Sequence, residues 1–223
     1  MRISIVIPTL NEADYVEKTI GAAHAAGAFE IIVADGGSSD RTVELARAKC
    51  RTIAAPRGRA RQMNAGALEA AGDVLLFLHA DTLLPANALE SILNALSNPK
   101  CVAGCFRLRF DGTSLLLRIY AALTLLPLKS LCFGDRAHFM LRSAYEAVGG
   151  FPEMPVFEDL EMVKRVSRVG MFHLLPESVT TSARRFAAAG PLRQQLLNAF
   201  LWTRYQLGAS PQNLARHYTY GES

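Results

Sequence analysis

The sequence predicts an α/β fold in which a mostly parallel central sheet is flanked by helices and followed by a helical C-terminal extension. Short apolar runs alternate with longer amphipathic runs through the first hundred residues, which is the rhythm of βαβ units. Polar or glycine-containing turns follow the apolar runs. The chain has 223 residues, of which 50% are hydrophobic and 20% charged, so it can bury a sizeable core without disulfides.

Strands and helices are predicted to alternate in the first half of the chain. Short apolar or β-branched runs predict strands at residues 3–7, 30–34, 51–54 and 73–78. Amphipathic runs predict helices at residues 12–26, 40–49, 58–71 and 85–96. Because open α/β sheets bind ligands beyond the carboxyl ends of their strands, the residues that follow each strand are the candidate site.

The second half keeps the same element types at less regular intervals. Strands are predicted at residues 102–110 and 138–141, and helices at 115–126, at 158–169 and from Pro191 to about Leu207. Proline is favoured at the first position of a helix. No linker rich in proline, glycine or serine separates the halves, so we expect an α/β domain at residues 1–177 with residues 178–223 packed on it as a helical extension.

Composition excludes several classes of protein. The four cysteines lack CxxC pairs, so we expect free thiols in a reducing cytoplasm, without a zinc site or a disulfide framework. The most apolar stretch, residues 115–133, is interrupted by Arg118, Pro127 and Lys129, which indicates a core or interfacial helix and not a membrane anchor. We therefore expect a cytoplasmic protein.

The net charge of +4 does not by itself indicate a nucleic-acid partner, and we expect none. Its distribution is uneven. Residues 45–68 carry six basic side chains and no acid, and residues 178–221 carry five arginines and no acid. Either cluster can be a solvated helix face, or it can meet phosphate or an anionic membrane surface.

Polar residues follow the first two predicted strands. The turn after the first contains Pro8, Thr9, Asn11 and Glu12, and helix capping alone can explain Asn11 and Glu12. The second strand ends at Asp35, whose carboxylate can accept a hydrogen bond from a ring N–H, and two glycines follow it. These residues are compatible with a planar ligand at the edge of the sheet.

Charged residues follow the third and fourth strands. Arg57 and Arg61 have the spacing of one helical turn beside a helix N-terminus, which would cradle a diphosphate. The fourth strand ends in His79-Ala80-Asp81, and a carboxylate there is well placed to hold a hard divalent cation against phosphate oxygens. Together these turns are compatible with a planar ligand, a diphosphate and a divalent metal.

Five segments in order carry a family resemblance: IVIPTLNE, ADGGSSDRT, RGRARQMNAGA, LFLHADT and GGFPE followed by FEDLEMVKRVSRVG. Over residues 2–172 the chain resembles the family 2 glycosyltransferases, whose fold is the Rossmann-like GT-A fold. It is most similar to a small bacterial branch named for its association with radical-SAM and selenodomain proteins, a likeness to which the HADT segment and residues 181–186 (TSARRF) belong.

The resemblance implies binding of a UDP- or GDP-sugar and a divalent metal, Mn²⁺ or Mg²⁺. The residues it implies for the nucleotide sugar are Pro8, Thr9, Asn11, Glu12, Asp35, Arg59, Arg61, Asn64, His79 and Asp81. Asp81 falls on the metal-ligating position. The family usually has an acid where this chain has His79, and imidazole can ligate a softer ion or donate a hydrogen bond. Gly36 likewise replaces a second acid that often follows Asp35.

The resemblance also implies the catalytic base. In family 2 enzymes the aspartate of an Glu-Asp pair removes the proton of the acceptor hydroxyl, and the product has inverted configuration. Asp159 occupies that position, and Glu158 is the second candidate. Without the resemblance, acids in the first turn of a helix would be read as partners of the helix dipole.

Three functions remain open from the sequence. The first is an inverting glycosyltransferase that moves a sugar from a nucleotide sugar to a hydroxyl or phosphate acceptor with a divalent metal. The second is a peripheral membrane enzyme at the inner face of the plasma membrane with a polyprenyl-phosphate or lipid acceptor, which the C-terminal arginines and the 115–133 stretch favour. The third is a nucleotide-sugar-binding protein without turnover. The sugar, the acceptor and the oligomeric state cannot be read from the sequence.

Overall fold

A mixed eight-stranded sheet forms the centre of the protein, which was obtained as a computed structural model that describes residues 1–112, 114–123, 132–184, 186 and 190–217. The strands are β1 (Ile3–Thr9), β2 (Glu30–Asp35), β3 (Arg51–Ala54), β4 (Val74–Phe77), β5 (Thr82–Leu83), β6 (Cys101–Phe110), β7 (His138–Leu141) and β8 (Met171–Thr181). Their order across the sheet is β3-β2-β1-β4-β7-β6-β8-β5.

The direction of the strands decides where the sheet offers a site. Strands β1 to β4 are mutually parallel, and β6 is parallel to β8. Strand β7 lies between β4 and β6 and is antiparallel to both, while β5 is antiparallel to β8. The carboxyl ends of β4, β6 and β8 therefore lie at the same edge of the sheet. This confirms the predicted α/β class, with a larger antiparallel part than the βαβ rhythm alone suggested.

Helices cover both faces of the sheet. They are α1 (Val16–Ala25), α2 (Thr42–Arg47), α3 (Arg59–Glu69), α4 (Ala88–Leu96), α5 (Leu115–Leu123), α6 (Arg142–Ala147), α7 (Glu158–Val166), α8 (Pro191–Gln206) and α9 (Pro211–Ala215). Residues of α1, α2, α4 and α5 pack in one apolar core, and residues of α3, α6 and α7 pack in a second. Alternation along β1 assigns Ile5 to the first core and Val6 to the second, as expected for a strand buried on both faces.

Most predicted elements are present with shorter helices. The predicted helix at 12–26 begins only at Val16, because Asn11 has a left-handed backbone (φ 54°) and residues 12–15 form a turn. The prediction at 115–126 is met by α5, and its last three positions lie outside the described residues. The four cysteines are free thiols, as predicted.

Four described elements were not predicted: β5, β8, α6 and α9. Strand β8 contains Pro176 and Glu177 and lacks regular alternation, and it is a strand because it pairs with β6 on one side and β5 on the other. The domain boundary predicted after residue 177 lies inside this strand. The division of the chain into an α/β domain and a helical extension stays a prediction. Helices α8 and α9 pack against Val156 and Phe157 through Leu201 and Leu214.

Candidate functional site

A cleft lies at the edge of the sheet where β4, β6 and β8 end. Four of the predicted site residues line it, namely Arg59, His79, Asp81 and Asp159. Arg59 is the first residue of α3, the next two follow β4, and Asp159 is in the first turn of α7. These residues are separated by as many as 100 positions in the sequence, and the fold brings them together.

Asp159 is held in the cleft by backbone donors. Its Oδ2 accepts a hydrogen bond from the Gly134 amide at 2.5 Å, and its Oδ1 accepts one from the Leu160 amide at 2.7 Å. A Cβ at position 134 would lie 3.0 Å from His79 Nε2 and 3.1 Å from Asp159 Oδ2. Glycine at 134 therefore allows the turn to pass between His79 and Asp159.

The residue before this pair of acids has an unusual backbone. Phe157 has φ 64°, a left-handed conformation that is rare for a bulky residue and costs about 1 kcal/mol or more. Its ring stacks on Tyr205 of α8, with the ring centroids 4.7 Å apart. The C-terminal helix thus supports the backbone conformation that starts α7 and orients Asp159.

Glu158 has a different environment from its neighbour. Its side chain is 1% exposed and forms an ion pair with Arg59. Burial raises the pKa of Glu158, and the charge of Arg59 opposes that rise. The carboxylate is engaged in holding Arg59 beside the cleft, so Glu158 is the less favoured candidate for the catalytic base.

Asp135 is a cleft residue that the sequence did not select. It lies on the short 3₁₀ turn Gly134–Arg136, and its Oδ1 is buried with no hydrogen-bond partner among the described residues. Burial raises the pKa of Asp135 to about 6, and the negative charge of Asp159 adds to that rise. The sequence did not select Asp135, because nothing local shows that it faces two other carboxylates, Asp159 and Asp81.

Arg184, from the TSARRF segment, is a second residue that the sequence did not select, and it contacts the cleft residue Asp81. One guanidinium nitrogen, Nη2, lies 2.5 and 2.6 Å from the two carboxylate oxygens of Glu12 and 3.3 Å from Asp81 Oδ2. The guanidinium also lies over the ring of Tyr15, 4.5 Å from its centroid. A cationic side chain thus joins the predicted nucleotide turn to the predicted metal ligand.

The turns predicted to bind the nucleotide base are tied to each other. Asp35 accepts hydrogen bonds from the Thr9 hydroxyl, from the amides of Gly37 and Ser38, and from the Ser38 hydroxyl. These four donors fill the acceptor positions of a carboxylate. A ring N–H can reach Asp35 only if the Thr9 or Ser38 hydroxyl turns away.

Asn11 and Pro8 belong to the same edge. Asn11 Oδ1 accepts a hydrogen bond from the Ser39 backbone amide at 2.8 Å, and the backbone amide of Asn11 donates to the Ser38 hydroxyl. Pro8 pairs with Ala34 in the β1–β2 register. Gln62, which was not selected from the sequence, donates through Nε2 to the carbonyl oxygens of Thr9 and Ala34 and so fixes both strand ends.

Arg61 and Asn64 do not line the cleft, and the same holds for Glu158 and for the predicted residues at the ends of β1 and β2, which are Pro8, Thr9, Asn11, Glu12 and Asp35. Arg61 forms an ion pair with Glu153, and both side chains are more than half exposed. Asn64 accepts hydrogen bonds from the Tyr145 hydroxyl and the Phe151 amide. Because α3 begins at Arg59, Arg57 lies outside the helix, and the predicted pairing of Arg57 and Arg61 on one helix face is absent.

The donor set fits a divalent cation that the substrate helps to bind. Within the described residues there is no group of three or more His, Cys, Asp or Glu side chains able to hold a metal by themselves. Asp81 nevertheless stabilises positive charge, since the guanidinium of Arg184 lies 3.3 Å from it. Mg²⁺ commonly binds through one or two carboxylates plus substrate phosphates, so Asp81 with a diphosphate makes an adequate site.

Comparison with known proteins agrees with the fold. The family model for glycosyl transferase family 2 matches residues 4–146. The chain is 26% identical over 216 residues to the probable glycosyltransferase YdaM of Bacillus subtilis (strain 168), a match that covers 80% of this chain and 50% of that protein. The chain thus spans about half the length of this curated relative.

Two solved structures are similar throughout most of the chain. The mannosyltransferase PcManGT from Pyrobaculum calidifontis, in complex with GDP-Man and Mn²⁺, has a TM-score of 0.70 and 20% identity over 98% of this chain and 69% of its own. S. aureus TarS 1-349, in complex with UDP-GlcNAc, has a TM-score of 0.64 and 18% identity over 82% of this chain and 58% of its own. At this level of identity the two similarities show the fold, and they confirm the predicted GT-A architecture.

Proposed function

Because the chain belongs to glycosyltransferase family 2, we propose that it transfers a sugar from a nucleoside-diphosphate sugar to an acceptor hydroxyl, with inversion at the anomeric carbon. The observation that carries this proposal is the cleft, in which a buried and oriented carboxylate, Asp159, lies beside the candidate nucleotide-sugar residues Arg59 and Asp81. The likeness to the radical-SAM-associated bacterial branch, which TSARRF suggests, is part of the same proposal.

The donor is proposed to bind across the β1, β2 and β4 ends. Thr9, Asn11 and Asp35 would surround the base and ribose, and Asp81 would lie at the diphosphate. PcManGT is solved with GDP-Man and TarS with UDP-GlcNAc, so both guanosine and uridine donors are tested below. Asp81, with His79 beside it, would hold Mn²⁺ or Mg²⁺, and such an ion would neutralise charge on the diphosphate.

The side chains of the cleft have separate roles in the transfer. Asp159 accepts the proton of the acceptor hydroxyl while that oxygen attacks the anomeric carbon, and the bond from that carbon to the diphosphate oxygen breaks. Attack on the face opposite the leaving group inverts the configuration. A positioned base contributes typically 10²–10⁴ in rate. The guanidinium groups of Arg59 and Arg184 are placed to stabilise the negative charge of the departing nucleoside diphosphate.

The test of this proposal is donor binding followed by turnover. Calorimetry with UDP and GDP, each with Mn²⁺ and with EDTA, should show binding of one nucleotide that the metal strengthens. Asp81→Asn should remove the effect of the metal. Glu90→Gln changes an exposed acid on α4, away from the cleft, and should leave binding as in the parent. A parent protein that binds neither nucleotide under any condition would refute the proposal.

A second candidate is the same chemistry at a membrane surface. On α8, Leu192, Leu196 and Phe200 recur at one face and are 59%, 64% and 50% exposed. On α5, which contacts α8, Leu115 and Ile119 are also at least half exposed. No helix among the described residues is long and apolar enough to span a bilayer, so the contact would be peripheral. Flotation with anionic vesicles at low salt tests it, because protein that stays unbound would leave the lipid-acceptor version without support.

A further inference from the structure

The cleft has two chemically different ends. At one end are the carboxylates of Asp81, Asp135 and Asp159. The other end is lined by an aromatic cluster in which the ring of Phe110 lies 5.3 Å from that of Phe186 and 5.8 Å from that of Tyr120. The proposed donor accounts for the polar end, and it leaves the apolar end unexplained.

We infer that the apolar end is the acceptor subsite and that the acceptor is an uncharged alcohol carrying an aryl or prenyl body. This inference rests on the proposed glycosyl transfer. Phe110 and Phe186 are each 9% exposed, so they are core residues that also form the wall of an open cleft. An apolar group that packs on these rings is removed from water, which is favourable. The hydroxyl groups of a polyhydroxylated acceptor would lose their hydrogen bonds to water at the same rings.

The chain itself connects this apolar end to the candidate base. Val156 and Phe157 are apolar residues that also line the cleft, and they directly precede Glu158 and Asp159. Phe157 is fixed by its stacking on Tyr205. A body packed against Val156 and Phe157 therefore presents its hydroxyl a short distance from Asp159, as proton transfer requires.

Charge decides between an alcohol and a phosphate as the nucleophile. A phosphate placed at Asp159 would meet the negative charges of Asp135 and of the donor diphosphate in a partly desolvated cleft. The proposed transfer assigns Arg59 and Arg184 to the donor diphosphate, and the described residues that line the cleft include no other arginine or lysine to balance a second phosphate. A neutral hydroxyl avoids this repulsion and can donate its proton to Asp159.

Ligand-observed NMR on the full chain tests the inference with benzyl alcohol, geraniol, benzyl phosphate and glycerol as probes. Benzyl alcohol and geraniol should bind at least tenfold more tightly than benzyl phosphate and glycerol. Phe186→Ala should weaken their binding by at least tenfold, because it removes the ring from the wall of the cleft. Tyr120→Ser, at a partly exposed ring, makes the same test if Phe186→Ala does not fold.

Phe200→Ala is the matched control, because it removes an exposed ring of α8 that does not line the cleft, and it should leave alcohol binding unchanged. Equal or tighter binding of benzyl phosphate, or alcohol binding that neither cleft variant weakens, would overturn the inference. Binding of UDP and GDP is measured in the same samples. If the parent binds neither UDP nor GDP, the proposed function is refuted. If it binds a nucleotide but does not bind the alcohols selectively, only the acceptor subsite is refuted.

Discussion

The Asp135→Asn variant is expected to be stabilised relative to the parent at neutral pH. This difference in the free energy of unfolding should shrink as the pH falls. The pKa of Asp135 is raised from 3.8 to about 6 in the folded protein, mainly by burial and next by the charge of Asp159. The folded state therefore holds this proton more tightly than the unfolded chain. The free energy of unfolding of the parent falls as the pH rises from about 4 to about 6, and asparagine removes that fall.

The magnitude follows from the two pKa values. The rise to about 6 corresponds to at most about 3 kcal/mol of destabilisation of the parent above pH 6. For a chain of this length, that free energy shifts the melting temperature by roughly 6–12 °C. Below about pH 3, Asp135 is protonated in both states, so the difference between variant and parent there reflects only the exchange of a carboxyl group for an amide.

Urea denaturation of the parent and of Asp135→Asn at half-unit steps from pH 4 to pH 8, with EDTA present, measures this difference directly. It should grow between pH 4 and 6 and stay constant above pH 6. Asp14→Asn, at an exposed position of the turn before α1, is the control and should show no such growth. A difference that does not change with pH, or a variant less stable than the parent at pH 7 by the same amount as at pH 4, would refute the reasoning.

Three further predictions concern the cleft. Asp159→Asn should lower turnover by about 10²-fold or more while donor binding stays nearly intact. Glu158→Gln should lower turnover less. If the Asp159→Asn variant turns over an identified acceptor at the parental rate, Asp159 is excluded as the base. Asp81→Asn should make nucleoside diphosphate binding equal with Mn²⁺ and EDTA in calorimetry, and a persisting metal effect would place the cation elsewhere. Arg184→Gln should strengthen Mn²⁺ binding to the nucleotide-free protein by roughly tenfold, because a competing cation 3.3 Å from Asp81 is removed; unchanged Mn²⁺ affinity in a direct titration would contradict this.

Local patterns predicted the parts of the fold that depend on nearby residues. The bounds of β3 and β7 agree with their predictions at both ends, because short β-branched or apolar runs bounded by turn residues specify a strand locally. The position of Asp81 after β4 and of Asp159 in the first turn of α7 also agree with prediction. In contrast, β8 depends on hydrogen bonds to β6 and β5, so its own sequence did not reveal it.

The sequence by itself determined the α/β class, the order of most elements and the residue types that follow the strands, because hydrophobic period and turn chemistry act over a few residues. Only the tertiary structure decided which of these side chains meet. In the folded protein Arg61 and Asn64 lie away from the cleft, whereas Asp135 lines it and Arg184 contacts Asp81. Arg184 is 172 residues from Glu12, and an ion pair at that separation leaves no periodic signal, since it depends on how distant strands and helices pack.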